Sequence, residues 1–596
     1  MATRHFVGSA PFLIIKMPMQ KLRWQFVIIL LTGLVVGILL INQQQQQQQQ
    51  LTPSSAVATT PLPASGGIYT EALIGSFNRL NPILAQNNSP DEDVDRLIFS
   101  SLIRFDSRGN PLPDLAESWG YSKDGTLYNF SLRTDILWHD GKPVTADDVI
   151  FTIDLMKEAN SYLPEDLQSF WKDIEIKRLS DQQLQFRLPE AFSPFLDYLT
   201  FGILPKHLLG KLTLDQIIND AFNLKPVGSG PYRFDRFMVE NGKIVGVVLK
   251  AYEKYYARKP FIDQFIFKYY PDAKAAFTAY KAGAVQGISQ VTADILPDAL
   301  AEPTMSIYTA RQPRLMMVYL NLNNPDVGFF KEAGFRRALL MALNRQSILA
   351  KVFTGQAVIA DGPIFPGTWA YYVGIEHLAF DQAAAKSLLK ETGYGPGKDG
   401  TSLVNLKDDK PVTFQLIYPD DPTYKAVADA IKAYWSELGI SVDLVSKPYD
   451  KLISENLNQR NYQAALVEIN LSQTPDPDPY PFWDQAQKTN GQNYSQWDNK
   501  TASEFLEQAR VSIYHGERSR LYHNFQVLFT KEMPALPLFY PVYTYGIDQQ
   551  VQGVQMGPLF NSSDRFANVT EWSLPVKKIS VKTASPNPTV NSTSTP

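Results

Sequence analysis

The forty residues from Leu112 to Phe151 constrain the fold more tightly than any other part of the chain. Tyr128, Phe130 and Leu132 alternate with Asn129, Ser131 and Arg133, the period of a strand with one buried face. Asp140-Gly141 is a turn dipeptide. Thr145 then offers a hydroxyl as a helix N-cap, and Asp148, three residues on, completes a capping box. Val149, Ile153 and Met156 fall on one face of the helix that follows. A strand, a tight turn and a capped helix are predicted, and the stretch assembles no nucleophile, base or metal-ligand cluster.

A chain of 596 residues is too long for a single core, so two or three domains are expected. Its formal charge of −4 lacks the basic excess of a nucleic-acid binder. The absence of cysteine removes disulfides, thiolate chemistry, cysteine metal sites and a lipid-modified cysteine tether together.

Trp24 to Ile41 is apolar apart from Gln25 and Thr32, and Arg4, Lys16, Lys21 and Arg23 precede it. As a helix this run would span about 27 Å, close to a hydrocarbon core. A cleavable signal peptide competes with this reading, but the nearby Ala56-Val57-Ala58 lies well beyond the apolar run. The reading preferred is a cell-membrane anchor: residues 1–23 inside, 24–41 as membrane anchor or signal segment, and the body on the extracytoplasmic face. Residues 42–65, with a glutamine tract from Gln43 to Gln50 and then Pro, Ser and Thr, read as a linker. Residues 577–596 read as a disordered tail.

The body repeats a helix–glycine–strand grammar. Asp381 can cap a helix carrying Ala384, Leu388 and Leu389 and ended by Gly393. Thr423 opens another, with Val427, Ile431, Trp435 and Leu438 on its buried face and Gly439 at its end. Ile440, Val442 and Leu444 then alternate as a strand, and Ile244 to Leu249 and Phe261 to Tyr269 suit strands too. The fold class is therefore mixed α/β.

Catalytic patterns are scarce. The six histidines form no metal-ligand spacing, so no metal and no cofactor is expected. Asp399 follows Gly395-Pro396-Gly397-Lys398 where a phosphate loop needs Ser or Thr. Ser229, flanked directly by Gly228 and Gly230, is not a nucleophile elbow. Asp420/Asp421 and Asp476/Asp478 adjoin prolines and read as turn-formers.

The strings LAESW, DGTLYNFSLR and WHDGKPVTADDVIF, in that order between Leu115 and Phe151, resemble the signature of the extracytoplasmic solute-binding proteins of peptide and nickel ABC importers. The resemblance continues through GSGPYRF from Gly228, FRRALLMALNR from Phe335, AIKAYWSELGISVDL from Ala430 and TPDPDPYPFWD from Thr474. It implies a two-lobed periplasmic-binding-protein-like α/β fold with a hinge and an extra small domain in the first lobe. Carried over, lobe I comprises 66–96, 200–310 and 541–576, the extra domain 97–199, and lobe II 311–540.

The resemblance further implies a non-enzymatic receptor. It binds an oligopeptide between the lobes and delivers it to ABC permease subunits in the membrane, as a monomer with no nucleic-acid partner. The implied cleft segments are 362–372, 467–473 and 491–497, with Trp369, Glu468, Asn470, Gln473, Asn493 and Tyr494 as ligand-binding candidates. One position departs from the family. Where oligopeptide-binding members carry an aspartate for the ligand's ammonium group, this chain has Gln473, and Glu468 substitutes only if its side chain turns into the cleft. An oligosaccharide or other solute on the same fold therefore stays open, as do a surface sensor and, with less support, an extracellular hydrolase.

Overall fold

The computed structural model describes residues 65–85, 88–158, 165–470 and 475–575. The apolar run 24–41, the glutamine tract and the 577–596 tail lie outside them. Among the described residues no helix is long and apolar enough to cross a membrane.

The main sheet has twelve strands and is mixed parallel and antiparallel. Its path runs Ser441–Lys447, Thr413–Pro419, Ala464–Asn470, Arg314–Leu320, Ala535–Asp548, Gly287–Ile288, Ile68–Ile74, Gln264–Tyr270, Lys243–Ala251 and Tyr232–Glu240. The long Ala535–Asp548 strand joins the two halves. Its start pairs with Arg314–Leu320 and its end with Met305–Arg311. One large buried cluster gathers side chains from Leu315 to Tyr540, and another those from Tyr69 to Leu249 together with Tyr543 to Trp572. The chain thus crosses between two cores at Gln312-Pro313 and near Pro541. Proline donates no ladder hydrogen bond, so both crossings are places where a sheet is easily interrupted.

A separate four-stranded antiparallel sheet holds Ala116–Tyr121, Leu127–Leu132, Gln183–Arg187 and Glu175–Arg178. As its period predicts, Tyr128, Phe130 and Leu132 are buried, and Phe186 meets Phe130 edge-on at 5.5 Å. The following helix spans Ala146–Lys157, with Val149, Ile153 and Met156 buried. The Thr145 amide donates to Asp148 Oδ2 at 2.8 Å, as a capping box requires.

Asp381 caps the Gln382–Glu391 helix, and Gly393 ends it at φ +92°. The helix expected to open at Thr423 spans Pro422–Ser436 and is capped one turn position earlier. Asp421 accepts from the Thr423 and Tyr424 amides, and Pro422 takes the first helical position, where no amide is needed.

Two of the sequence landmarks meet through His139. Its Nε2 donates to the Gly230 carbonyl at 3.0 Å, and its Nδ1 accepts from the Gly228 amide at 3.2 Å. A Cβ on Gly228 would lie 1.9 Å from the Ile98 carbonyl oxygen, so the glycine lets this segment pass under the end of the Ser89–Ile98 helix. Burial holds the His139 imidazole neutral, lowering its pKa to about 4. The unfolded chain protonates near pH 6.5, so the contribution is complete above that pH and is lost as pH falls toward 4. His139→Gln should abolish a pH-dependent loss on the order of 2–3 kcal/mol between pH 7 and 4, read by urea unfolding at each pH.

Behind the sheet, Arg565 is buried between two carboxylates. Its Nη2 lies 2.8 Å from Glu71 Oε1 and its Nη1 2.6 Å from Asp93 Oδ1. Removing one member of such a group strands the others without water. Arg565→Met is expected to cost about 3–5 kcal/mol of stability in urea unfolding at neutral pH.

Candidate functional site

Between the two cores lies a cavity of about 1020 Å³. One wall is the Ser89–Ile98 helix with Phe99, through Glu92, Asp95 and Arg96. A second comes from the hairpin around Arg104 to Leu112 and from the segment Asp197 to Gly202. The second core supplies Gln312, Pro313, Arg314, Asn470 and Pro475, and the C-terminal segment from Gln555 to Asn568 closes the remaining side. Every major part of the described body therefore contributes to one concave space, the usual setting of a ligand site.

The wall carries a surplus of acid: Glu92, Asp95, Asp106, Asp197 and Asp564 against Arg96, Arg104 and Arg314. Arg96 lies 3.5 Å from Asp564, and Arg314 is held by Glu468. Asp95 is almost fully buried and forms no ion pair among the described residues. Burial, with Asp91 nearby, pushes its carboxyl well above the usual range. Burial likewise raises Asp91, to about 6, although the Asn78 and Arg79 amides donate to it.

The six sequence candidates do not form one group. Asn470 stands on the cavity wall. Glu468, two residues before it and so on the same face of the strand, binds Arg314, with Nε at 2.6 Å and Nη2 at 2.5 Å from Oε1. Burial raises the Glu468 carboxyl, and the guanidinium opposes the rise. Trp369 stands just behind the wall: a Cβ on Gly109 would lie 3.4 Å from its indole and 3.0 Å from the carbonyl of wall residue Pro475. Its ring packs on His515 at 4.4 Å and under the Arg518 guanidinium at 5.1 Å. Its amide donates to the Arg108 carbonyl at 3.0 Å, joining the two cores. Gln473 lies outside the described residues.

Asn493 and Tyr494 are held elsewhere in the second core. The Asn493 amide donates to the Asp484 and Trp497 carbonyls at 2.9 and 2.8 Å and accepts from the Trp497 amide at 3.0 Å. Tyr494 meets Tyr319 edge-on at 5.6 Å and lies under Arg460 at 5.0 Å. Asn493→Ala is expected to destabilise by about 2–3 kcal/mol, because three buried partners lose their hydrogen bonds. Asn470→Ala should stay within about 1 kcal/mol, and parallel urea titrations would show the contrast.

Sequence reasoning missed most of the wall. Asp197 stands as a lone acid inside the hydrophobic run PFLDYLTF, which was the available signal, whereas Asp95 lies in the charged stretch PDEDVDR and gave none. The C-terminal segment carried none.

Among the described residues no cluster of His, Cys, Asp and Glu could hold a metal ion. Residues 110–493 match the family model of bacterial extracellular solute-binding proteins, family 5 Middle. The chain is 26% identical over 529 residues to the oligopeptide-binding protein AppA of Bacillus subtilis, covering 87% of this chain and 94% of that one. It is 26% identical over 526 residues to the dipeptide-binding protein of Escherichia coli, covering 83% and 93%. The structure of the Bacillus subtilis AppA protein in complex with a nonapeptide superposes with a TM-score of 0.62 at 25% identity, covering 86% of this chain and all of that one. That of NikZ from Campylobacter jejuni in complex with Ni(L-His) gives 0.63 at 27% identity, covering 85% and 99%.

Proposed function

The chain belongs to the bacterial extracellular solute-binding proteins of family 5, and on that premise we propose that it is the oligopeptide receptor of an ABC importer. The observation that carries the reading is the cavity of about 1020 Å³ walled by both cores. It lies at the upper end of the roughly 300–1,000 Å³ typical of small-molecule sites, which suits an extended chain of several residues. The named relatives, an oligopeptide-binding and a dipeptide-binding protein, support the same solute class.

In this reading the protein works by binding and closure, without turnover. A solute that touches both cores favours their apposition, and the closed form is what permease subunits engage. The lobes are those implied by the sequence: 66–96, 200–310 and 541–576 against 311–540, with 97–199 as the added domain. The receptor acts as a monomer, tethered on the extracytoplasmic face by residues 24–41, whose basic flank supports that orientation. Asn470 and Arg314 contact the solute directly, Glu468 holds Arg314, and Trp369 backs the wall.

The full chain should be melted with a mixture of unblocked tri- to pentapeptides, and native mass spectrometry should weigh what stays bound. A ligand at a hundred times its Kd adds about 2.7 kcal/mol, enough to raise the melting temperature of a body this large by about 2–3 °C. No shift and no bound peptide mass would sink the peptide assignment.

A further inference from the structure

Asp197, on the cavity wall, forms no ion pair among the described residues. Asp197 lies in the short 3-10 segment Ser193–Leu199 and is 5% exposed. Its Oδ1 accepts the Asp476 amide at 2.8 Å, a hydrogen bond that joins the two sides of the cavity. Behind it the charges are matched one to one. Asp476 pairs with Arg518 at 2.5 Å, and Asp478 pairs with Arg510 at 3.0 Å. Arg518 has further demands on it, donating through Nε to the Ala509 carbonyl at 2.7 Å. Three carboxylates thus share two guanidiniums, and Asp197, the one that lines the cavity, is left over.

A neutral acceptor would serve the Asp476 amide equally well. An asparagine at 197 would keep the hydrogen bond without a buried charge, so the carboxylate costs stability that the interlobe contact does not recover. Burial and the neighbouring Asp476 hold the Asp197 carboxyl well above its usual range, opposed by Arg518. A cation arriving from the cavity would supply the missing partner, and the acid surplus of the whole wall favours the same sign of charge.

We propose that Asp197 anchors an ammonium group of the bound solute. An ammonium fits better than a guanidinium because Oδ1 is already engaged, which leaves a single acceptor side suited to a point charge and not to a two-pronged donor. The inference rests on the cavity being the solute cleft, and it names the chemistry recognised there.

The full chain and its Asp197→Asn variant would be titrated by calorimetry with peptides of uncharged residues bearing free N-termini, with the same peptides N-acetylated, and with N-acetylated peptides carrying one lysine. Asp197→Ser provides a second variant, and melting curves check that each folds. The expected result is that wild type binds the free peptides about tenfold to a hundredfold more tightly than the acetylated ones, and that both variants lose this preference. Recovery with the lysine peptides would assign the ammonium to a side chain, and no recovery would assign it to the N-terminus. If wild type binds free and acetylated peptides alike, or Asp197→Asn keeps the preference, the anchor is overturned while the peptide reading stands. If no peptide binds, that reading falls, and putrescine decides the anchor: binding that Asp197→Asn abolishes upholds it, and no such binding overturns it.

Discussion

The buried contact of Arg565 with Glu71 and Asp93 organises more of the molecule than any other interaction. It joins three segments far apart in sequence: the Ile68–Ile74 strand, the Ser89–Ile98 helix and the C-terminal stretch. Tyr69 and Tyr545 donate to Glu71 Oε2 at 2.9 and 2.7 Å, so the carboxylate is met by hydroxyls as well as by the guanidinium. Gly287 makes room for this arrangement, since a Cβ there would lie 1.9 Å from the Tyr69 hydroxyl. A buried ion group stabilises little by itself, but it admits few alternative packings, because any other leaves a charge without a partner. Here it fixes the helix and the C-terminal segment that form two walls of the cavity.

The opposing wall is held more loosely. The second core reaches across through the Trp369 amide, the Asp476 amide and the Ser512 carbonyl, which accepts from Ser193 Oγ. The backbone crossings are two, at Gln312-Pro313 and near Pro541. These hydrogen bonds, the Arg510 guanidinium over the Phe192 ring and two proline-marked crossings link cores whose own packing is far more extensive. Such a construction suits rigid-body opening, in which each core keeps its own packing and only the contacts across the cavity change.

Much of the fold was legible in the sequence because it follows from local rules. The alternation at Tyr128, Phe130 and Leu132, the Thr145–Asp148 cap and the Asp381 and Gly393 ends all depend on neighbours within a few residues. The Thr423 boundary moved to Asp421 because a Pro at the first helical position lets the earlier acid take the cap. The cavity was far less legible. Of the ligand-binding candidates read from the sequence, Asn470 stands on the cavity wall, yet Asp95, Asp197 and the 555–568 segment were not found. Their roles come from long-range apposition, which no periodicity reports. The strongest family signature, Leu112 to Phe151, supplies two strands of the separate small sheet and the start of the helix after it, and its one histidine serves to hold the Gly228–Gly230 segment.

The two parts of the electrostatics differ in kind, and the difference bears on function. Around Arg565 the carboxylates are enclosed with a cation and two tyrosine hydroxyls, so the charge is served from within the protein. Around the cavity the acids outnumber the guanidiniums, and among the described residues Asp95 and Asp197 form no ion pair, Asp197 having only the more distant influence of Arg518. A protein that only needed stability would gain by replacing such groups with apolar side chains of similar volume. Carboxylates on a concave wall that lack a cation of their own read as binding potential, because a cationic solute would relieve them. The solute's own interactions with both walls would decide how fully the closed form is populated.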